Sequence, residues 1–168
     1  MKNVSIYTDG ACSGNPGVGG FGCVLIHGEH RREILGGYKL TTNNRMELIA
    51  CINALEALKY ECEVNLYTDS KYVVDSIEQG WAAKWRMNGW KRNKKDKAEN
   101  PDLWRQLLDL CNKHKIKFEW VKGHSGNFEN ERCDELANEG MRHENLLEDT
   151  KYLEYQAKKE LKTNPTLF

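Results

Sequence analysis

The stretch Val4-Ser5-Ile6-Tyr7-Thr8-Asp9 alternates β-branched and polar residues and stops at an aspartate before Gly10, the pattern of a short strand that ends at a turn. It has an echo further on, Val64-Asn65-Leu66-Tyr67-Thr68-Asp69, again a strand that stops at an aspartate. A strand-helix-strand path between the two favours parallel neighbours. Both aspartates then emerge at the carboxyl edge of the sheet, where α/β proteins place their sites. Neighbouring strands lie roughly 4.8 Å apart, and two carboxylates that close repel unless a cation or proton lies between them. Magnesium, a hard ion that takes oxygen ligands, suits such a gap. The alternative is that each aspartate caps the turn or helix that follows it.

Around these strands the chain reads as an α/β protein. Phe21 to Ile26 and Glu33 to Leu40 predict two more strands, joined by the polar turn Gly28 to Arg31, so the chain opens as an antiparallel meander. Gly10 to Gly17 reads as a loop from its Gly, Asn and Pro. Asn43 to Leu58 predicts a helix that Thr42, Asn43 or Asn44 can cap. Helices are expected over Lys71 to Gln79, Trp81 to Met87, Pro101 to about Lys113 and Asn130 to about His143, with a strand over Ile116 to Val121. The result is a mixed sheet with helices on both faces. Residues 1–148 are expected to form one domain, and 149–168 a tail that is either a peripheral helix or disordered.

The 168 residues carry 25 Lys+Arg and 25 Asp+Glu, so any nucleic-acid binding must rest on a local patch rather than on net charge. Apolar residues make up 39% of the chain, enough for a core. No apolar run long enough for a signal peptide or membrane span is found. The six cysteines are irregularly spaced without C-x-x-C, which favours reduced thiols in a cytoplasmic protein over disulfides or zinc.

Glu47 admits two readings. Asn44-x-x-Glu47 resembles a capping box, yet Glu47 shares a helical face with Ala50, Cys51, Ala54 and Leu58, an apolar stripe that should face the sheet, where a carboxylate wants a cation. Asp134 lies early in the last helix, where acids favour the dipole. His124 stands in the loop Gly123-His124-Ser125-Gly126 as either a solvated side chain or a proton shuttle. Trp81 to Lys97 interleaves Trp81, Trp85 and Trp90 with Lys84, Arg86, Lys91, Arg92, Lys94, Lys95 and Lys97, and Asp96 is its only acid. Such a segment is either a solvated loop over a tryptophan-rich core or a nucleic-acid surface, with cations on phosphates and indoles on sugars and bases. Gly17-x-Gly19-x-x-Gly22 matches a dinucleotide-binding pattern but runs into a predicted strand instead of a helix, so no nicotinamide or flavin site is expected.

Together, Tyr7-Thr8-Asp9-Gly10-Ala11-Cys12-Ser13-Gly14-Asn15-Pro16-Gly17, Thr41-Thr42-Asn43-Asn44-Arg45-Met46-Glu47-Leu48, Tyr67-Thr68-Asp69-Ser70, Val121-Lys122-Gly123-His124-Ser125-Gly126 and Asn130-Glu131-Arg132-Cys133-Asp134-Glu135-Leu136-Ala137 resemble type 1 ribonuclease H in its bacterial form. The resemblance runs from about residue 3 to about residue 143. It implies a ribonuclease H-like fold, a five-stranded mixed sheet in the order 3-2-1-4-5, and hydrolysis of the RNA strand of an RNA/DNA hybrid to 5′-phosphate and 3′-hydroxyl ends. Asp9, Glu47, Asp69 and Asp134 match the metal-binding carboxylates of a two-metal-ion mechanism, with Asp9 shared between the ions. The ions are expected to be Mg2+, with Mn2+ as the alternative. His124 matches the catalytic loop histidine.

For substrate, the resemblance implies that the segment at about 81–99 is a protrusion holding the DNA strand, with Trp81, Trp85, Lys91 and Lys94 at the duplex. Asn15, Asn43 and Asn44 match positions that contact the minor groove, beside Gly10, Cys12 and Ser13. Thr42 and Asn100 match positions that bind a DNA phosphate. Leu40 departs from the pattern, standing where relatives often carry arginine. The expected working unit is a cytoplasmic monomer with no obligate protein partner and no membrane contact. A non-catalytic hybrid-binding module should lack one of the carboxylates. A transposase or resolvase relative should lack the protrusion together with the Gly-His-Ser-Gly loop.

Overall fold

The computed structural model describes residues 1–163. Five strands, β1 (Lys2–Ser13), β2 (Gly17–His27), β3 (His30–Thr41), β4 (Cys62–Thr68) and β5 (Lys115–Trp120), form one sheet in the order β3-β2-β1-β4-β5. β1, β2 and β3 pair antiparallel, and β4 pairs parallel with both β1 and β5. The helices are α1 (Asn43–Glu56), α2 (Lys71–Glu78), α3 (Trp81–Met87), α4 (Pro101–Lys113), α5 (Phe128–Met141) and α6 (Thr150–Thr163). Helix α1 covers one face of β1 and β2, and α5 the other. The mixed sheet, its order and its two covered faces are those expected from the sequence.

Alternation along β1 separates two cores. Val4 and Ile6 pack with α1, its neighbour α4 and the apolar residues of β4. Tyr7 faces the other way, onto Val24, Cys133 and Leu136 under α5. Every residue of α1 from Arg45 to Leu55 except Asn53 is buried, because the helix lies between the sheet and α4. Leu58, expected on its inward stripe, falls past the end of the helix and is half-buried.

The strands are longer than their sequence predicts. Gly10 to Ser13, read as loop, continues β1 opposite Phe21, Gly20, Gly19 and Val18. Glycine has little strand preference of its own, but cross-strand pairing overrides that preference. The parallel ladder with β4 stops at Thr8–Thr68, so β1 runs on past the end of its parallel neighbour. Gly17, Gly19 and Gly22 all lie in β2, in agreement with the rejection of a dinucleotide motif.

The tail contains a helix. Asp149 accepts a hydrogen bond from the Tyr152 amide at 3.4 Å, its carbonyl accepts from the Leu153 amide, and Tyr152 is buried. The remainder of the predicted tail, 164–168, lies outside the described residues. Among the described residues no helix is long and apolar enough to cross a membrane.

Candidate active site

Asp9 sits in β1 one residue past the last pairing with β4, and Asp69 directly follows β4. The two therefore share the edge that the repeated strand motif predicted. Glu47 reaches the same edge from α1. A carboxylate oxygen from each of Asp9, Glu47 and Asp69 falls within one 4.8 Å cluster. Asp9 and Glu47 are buried and Asp69 is half-buried.

Local structure bears on the two readings of Glu47. The N-cap of α1 is Thr42, whose hydroxyl accepts from the Arg45 amide at 3.2 Å. Thr42 thus does the capping that the Asn44-x-x-Glu47 spacing had suggested for Asn44, and the capping-box position falls on Arg45, two residues before Glu47. Its Oε2 is buried without a hydrogen-bond partner. An orphaned buried carboxylate oxygen costs free energy, and a cation is the partner that would remove the cost. Asp9 has one neighbour of that kind already: the Gly10 amide donates to its Oδ1 at 2.9 Å.

Electrostatics follow from this crowding. Burial and the charge of Asp69 push the Asp9 carboxyl up to about 8, against the opposing Gly10 hydrogen bond. Burial, then the charge of Asp9, holds Glu47 well above the usual carboxylate range. Asp69 is raised, chiefly by burial. Three acids that resist ionisation together are a site awaiting positive charge. An oxygen-only donor set of this kind fits a hard divalent cation such as magnesium.

Asp134, the fourth carboxylate expected from the sequence, stands on α5 outside the tight trio. Its charge is nevertheless felt at Asp9 and at Asp69. Helix α5 reaches this position because the sheet beneath it is bare: a Cβ on Gly22 would lie 2.5 Å from the Cys133 carbonyl oxygen. His124 follows β5 in a left-handed conformation (φ 54°), and its nearness lowers the Asp69 carboxyl where Asp134 raises it. Gly123 packs so closely on Asp69 that a Cβ there would meet its Oδ2 at 2.8 Å.

Beyond the acids, several of the sequence-predicted substrate residues lie along the end of β1, the β1–β2 turn and the start of α1. Ser13 and Asn15 are exposed, and the Asn15 Oδ1 accepts from the Asn43 amide at 3.1 Å, joining the β1–β2 turn to the start of α1. Thr42, Asn43 and Asn44 are half-buried there. The Cys12 thiol turns to the Thr41 carbonyl, 3.5 Å away. Gly10 is buried against α1. Asn100, left-handed at φ 58°, starts α4 without capping it through its side chain.

The two tryptophans expected at the duplex, Trp81 and Trp85, differ in exposure. Trp81 is 45% exposed. Trp85 is half-buried and meets Trp104 edge-on with ring centroids 6.0 Å apart. Trp90 also packs on the core and lies under Arg105. Lys91 and Lys94 are exposed on a small loop closed by the Lys91–Lys97 bridge.

Two residues at the site carried no readable sequence signal. Trp120 donates its indole N–H to the Asp69 carbonyl at 3.1 Å and lies 4.7 Å under the Lys71 ammonium. Arg45, inside a quoted motif but with no role inferred, is almost fully buried and ion-paired to Asp102 and Asp149.

Comparison with known proteins agrees with this arrangement. A model of the RNase H family matches residues 1–142. The chain is 66% identical to a ribonuclease H of Trichodesmium erythraeum over 134 residues, covering 80% of this chain and 85% of that protein. It is 60% identical to a ribonuclease HI of Synechocystis over 137 residues, covering 81% and 86%. Among solved structures, it superposes on LC9-RNase H1, described as a type 1 RNase H with the type 2 active-site motif, with a TM-score of 0.76 at 31% identity, covering 84% of this chain and 73% of that one. It also superposes on RNase H1 of Halobacterium salinarum with a TM-score of 0.63 at 29% identity, covering 83% and 98%.

Proposed function

We propose residue roles and a mechanism from one premise: this chain belongs to the RNase H family and is an endoribonuclease that hydrolyses the RNA strand of RNA/DNA hybrids. The observation that carries the assignment is the buried, partnerless Oε2 of Glu47 in a cluster with Asp9 and Asp69.

Asp9, Glu47 and Asp69 hold the divalent cation, and Asp134, whose charge already reaches two of them, completes the set for a second ion. When bound, magnesium supplies a polarised attacking water and charge neutralisation at the leaving 3′ oxygen. The protein residues do the rest. Burial of the acids leaves their charge poorly screened, so that it would act on the cations they hold. His124, on its loop beside Asp69, moves a proton through an imidazole nitrogen as the product leaves. The products carry 5′-phosphate and 3′-hydroxyl ends.

Substrate recognition falls to the surrounding edge. Gly10, Cys12 and Ser13 present backbone groups, and Asn15, Asn43 and Asn44 present side chains, to the minor groove, where 2′-hydroxyls distinguish RNA from DNA. Thr42 and Asn100 take a DNA phosphate. Trp81, Lys91 and Lys94 contact the duplex, and Trp85 supports them from the core side. The catalytic domain is residues 1–148 with its protrusion at about 81–99, braced by Asp149 at the start of the tail, and works as a cytoplasmic monomer.

The test is a cleavage assay on labelled RNA/DNA hybrid, double-stranded RNA and double-stranded DNA, each with and without magnesium. Magnesium-dependent cutting of the RNA strand of the hybrid alone is expected. Equal cutting of all three, or an intact hybrid, overturns the assignment.

A further inference from the structure

Residue 149, placed at the start of a C-terminal tail by the sequence, is held against α1 and the end of β3, and through Arg45 to α4. Asp149 is 6% exposed. Its Oδ2 accepts from the Arg45 Nε at 2.6 Å and from the Thr41 hydroxyl at 2.8 Å, and its Oδ1 accepts from the Arg45 Nη2 at 2.9 Å. Asp102 grips the far side of the same guanidinium, with Nη1 and Nη2 donating to its two oxygens at 3.0 and 2.8 Å. Helix α6 adds the Tyr155 hydroxyl, which donates to Asp102 at 3.3 Å. One buried cation therefore ties α1, α4, the end of β3 and α6 together, and α6 lies beyond the 1–142 span that the family model matches.

The guanidinium makes one further hydrogen bond. Arg45 Nη1 donates to the Asn100 Oδ1 at 3.2 Å, and the Asn100 Nδ2 donates to the Tyr72 hydroxyl at 3.2 Å. Arginine is donor-only, so the amide oxygen of Asn100 must face it, and the amide NH2 is turned away. That NH2 has two hydrogens, of which Tyr72 takes one. The second is the kind of donor that a phosphate oxygen accepts. A guanidinium held by two bidentate carboxylates cannot swivel about Nε, so the orientation of Asn100 follows from the grip on Arg45.

We propose that Asp149, at the start of α6, is a positioning residue that locks Arg45 so that Asn100 presents its NH2 to a backbone phosphate of the substrate. This rests on the assignment of Asn100 to a DNA phosphate. The C-terminal helix is then part of the substrate-binding machinery, acting through Arg45 without touching the hybrid.

The experiment compares full-length wild type with Asn100→Gly, Asp149→Asn and the double variant, assayed on RNA/DNA hybrid well below each melting temperature. Glycine suits the left-handed backbone at position 100. Asn100→Gly should raise KM by about tenfold, the worth of one charge-assisted hydrogen bond, with kcat little changed. Asp149→Asn should raise KM by about threefold to fivefold, and the double variant should be no worse than Asn100→Gly alone. Multiplied effects in the double variant, or an unchanged KM in Asp149→Asn with only a lower melting temperature, overturn the positioning role. An unchanged KM in Asn100→Gly overturns the phosphate assignment, and this inference with it. Thr41→Val, which removes one hydrogen bond from Asp149 and keeps its charge, serves if Asp149→Asn does not fold. It should raise KM in the same direction, and an unchanged KM in that variant counts against the proposal.

Discussion

Gly10 of β1 lies so close to Glu47 of α1 that a Cβ on Gly10 would stand 2.5 Å from the Glu47 amide nitrogen and 2.6 Å from the Met46 carbonyl carbon. The helix rests on the strand where the strand has no side chain, and this contact brings the Glu47 carboxylate to Asp9. Gly10→Ala should therefore act twice. Overpacking against backbone, which cannot step aside, should cost about 1–3 kcal/mol or more. Cleavage should fall further than the lost folding explains, because Glu47 is pushed off the cluster. Melting curves and kcat at a temperature where the variant is folded check this, and a stable variant with wild-type kcat refutes it.

Replacing Asp9 by Asn separates activity from stability. Cleavage should drop by more than about 100-fold, the loss that even an outer partner of a metal ligand produces. In chelator, however, the variant should melt higher than wild type. The sign follows from linkage: the folded-state value of Asp9 lies at about 8, above the ordinary aspartate value of 3.8. Between these values the carboxyl is protonated in the fold and ionised in the unfolded chain, so the metal-free fold weakens progressively as pH rises through that window. The melting advantage of the variant should grow from acid to pH 8, at roughly 2–4 °C per kcal/mol for a chain of this size. Magnesium should erase the advantage by stabilising wild type alone. A variant that melts lower than wild type in chelator at pH 8 contradicts it.

Trp81 and Trp85 should fail in different ways. Trp85 meets Trp104 in the core cluster, so Trp85→Ala should destabilise by about 2–4 kcal/mol. Trp81 is 45% exposed, so Trp81→Ala should leave the melting temperature within a degree or two (surface changes are worth about 0.5 kcal/mol) while raising KM for hybrid. Denaturant melts and steady-state kinetics on the two variants distinguish them, and a reversed pattern removes Trp81 from the duplex surface.

Acid should dissolve the Arg45 network. Asp102 is half-buried, which alone raises its carboxyl, but the Arg45 guanidinium holds it below the usual carboxylate range. Its folded value is depressed, so its stabilisation is present above the unfolded value and is lost as pH falls through the folded one. Asp102→Asn should be less stable than wild type at pH 6 by about 2 kcal/mol, the scale of hydrogen bonds to a charged group. The gap should close as pH falls below about 4, the ordinary aspartate value. Urea melts at pH 6 and pH 3 check it, and a gap of constant size contradicts it.

Local pattern alone determined much of this protein. The repeated strand motif ending at Asp9 and Asp69 placed both carboxylates at one sheet edge, because alternation has a period of two and a crossover between parallel strands has few solutions. Glu47 was ambiguous, since Asn44-x-x-Glu47 mimics a capping box. Only the structure, by making Thr42 the cap, left the Glu47 carboxylate free to face the acids. Gly10 to Ser13 looked like a loop because glycine's cross-strand partners are invisible in a local window. Trp81 and Trp85 were equivalent by spacing, and what differs between them is the core that each meets. The joining of Arg45 to Asp149, separated by 104 positions, was decided by tertiary structure alone. Burial of a guanidinium requires carboxylates from wherever the packed chain brings them, and nothing in the local periodicity around either residue encodes the other.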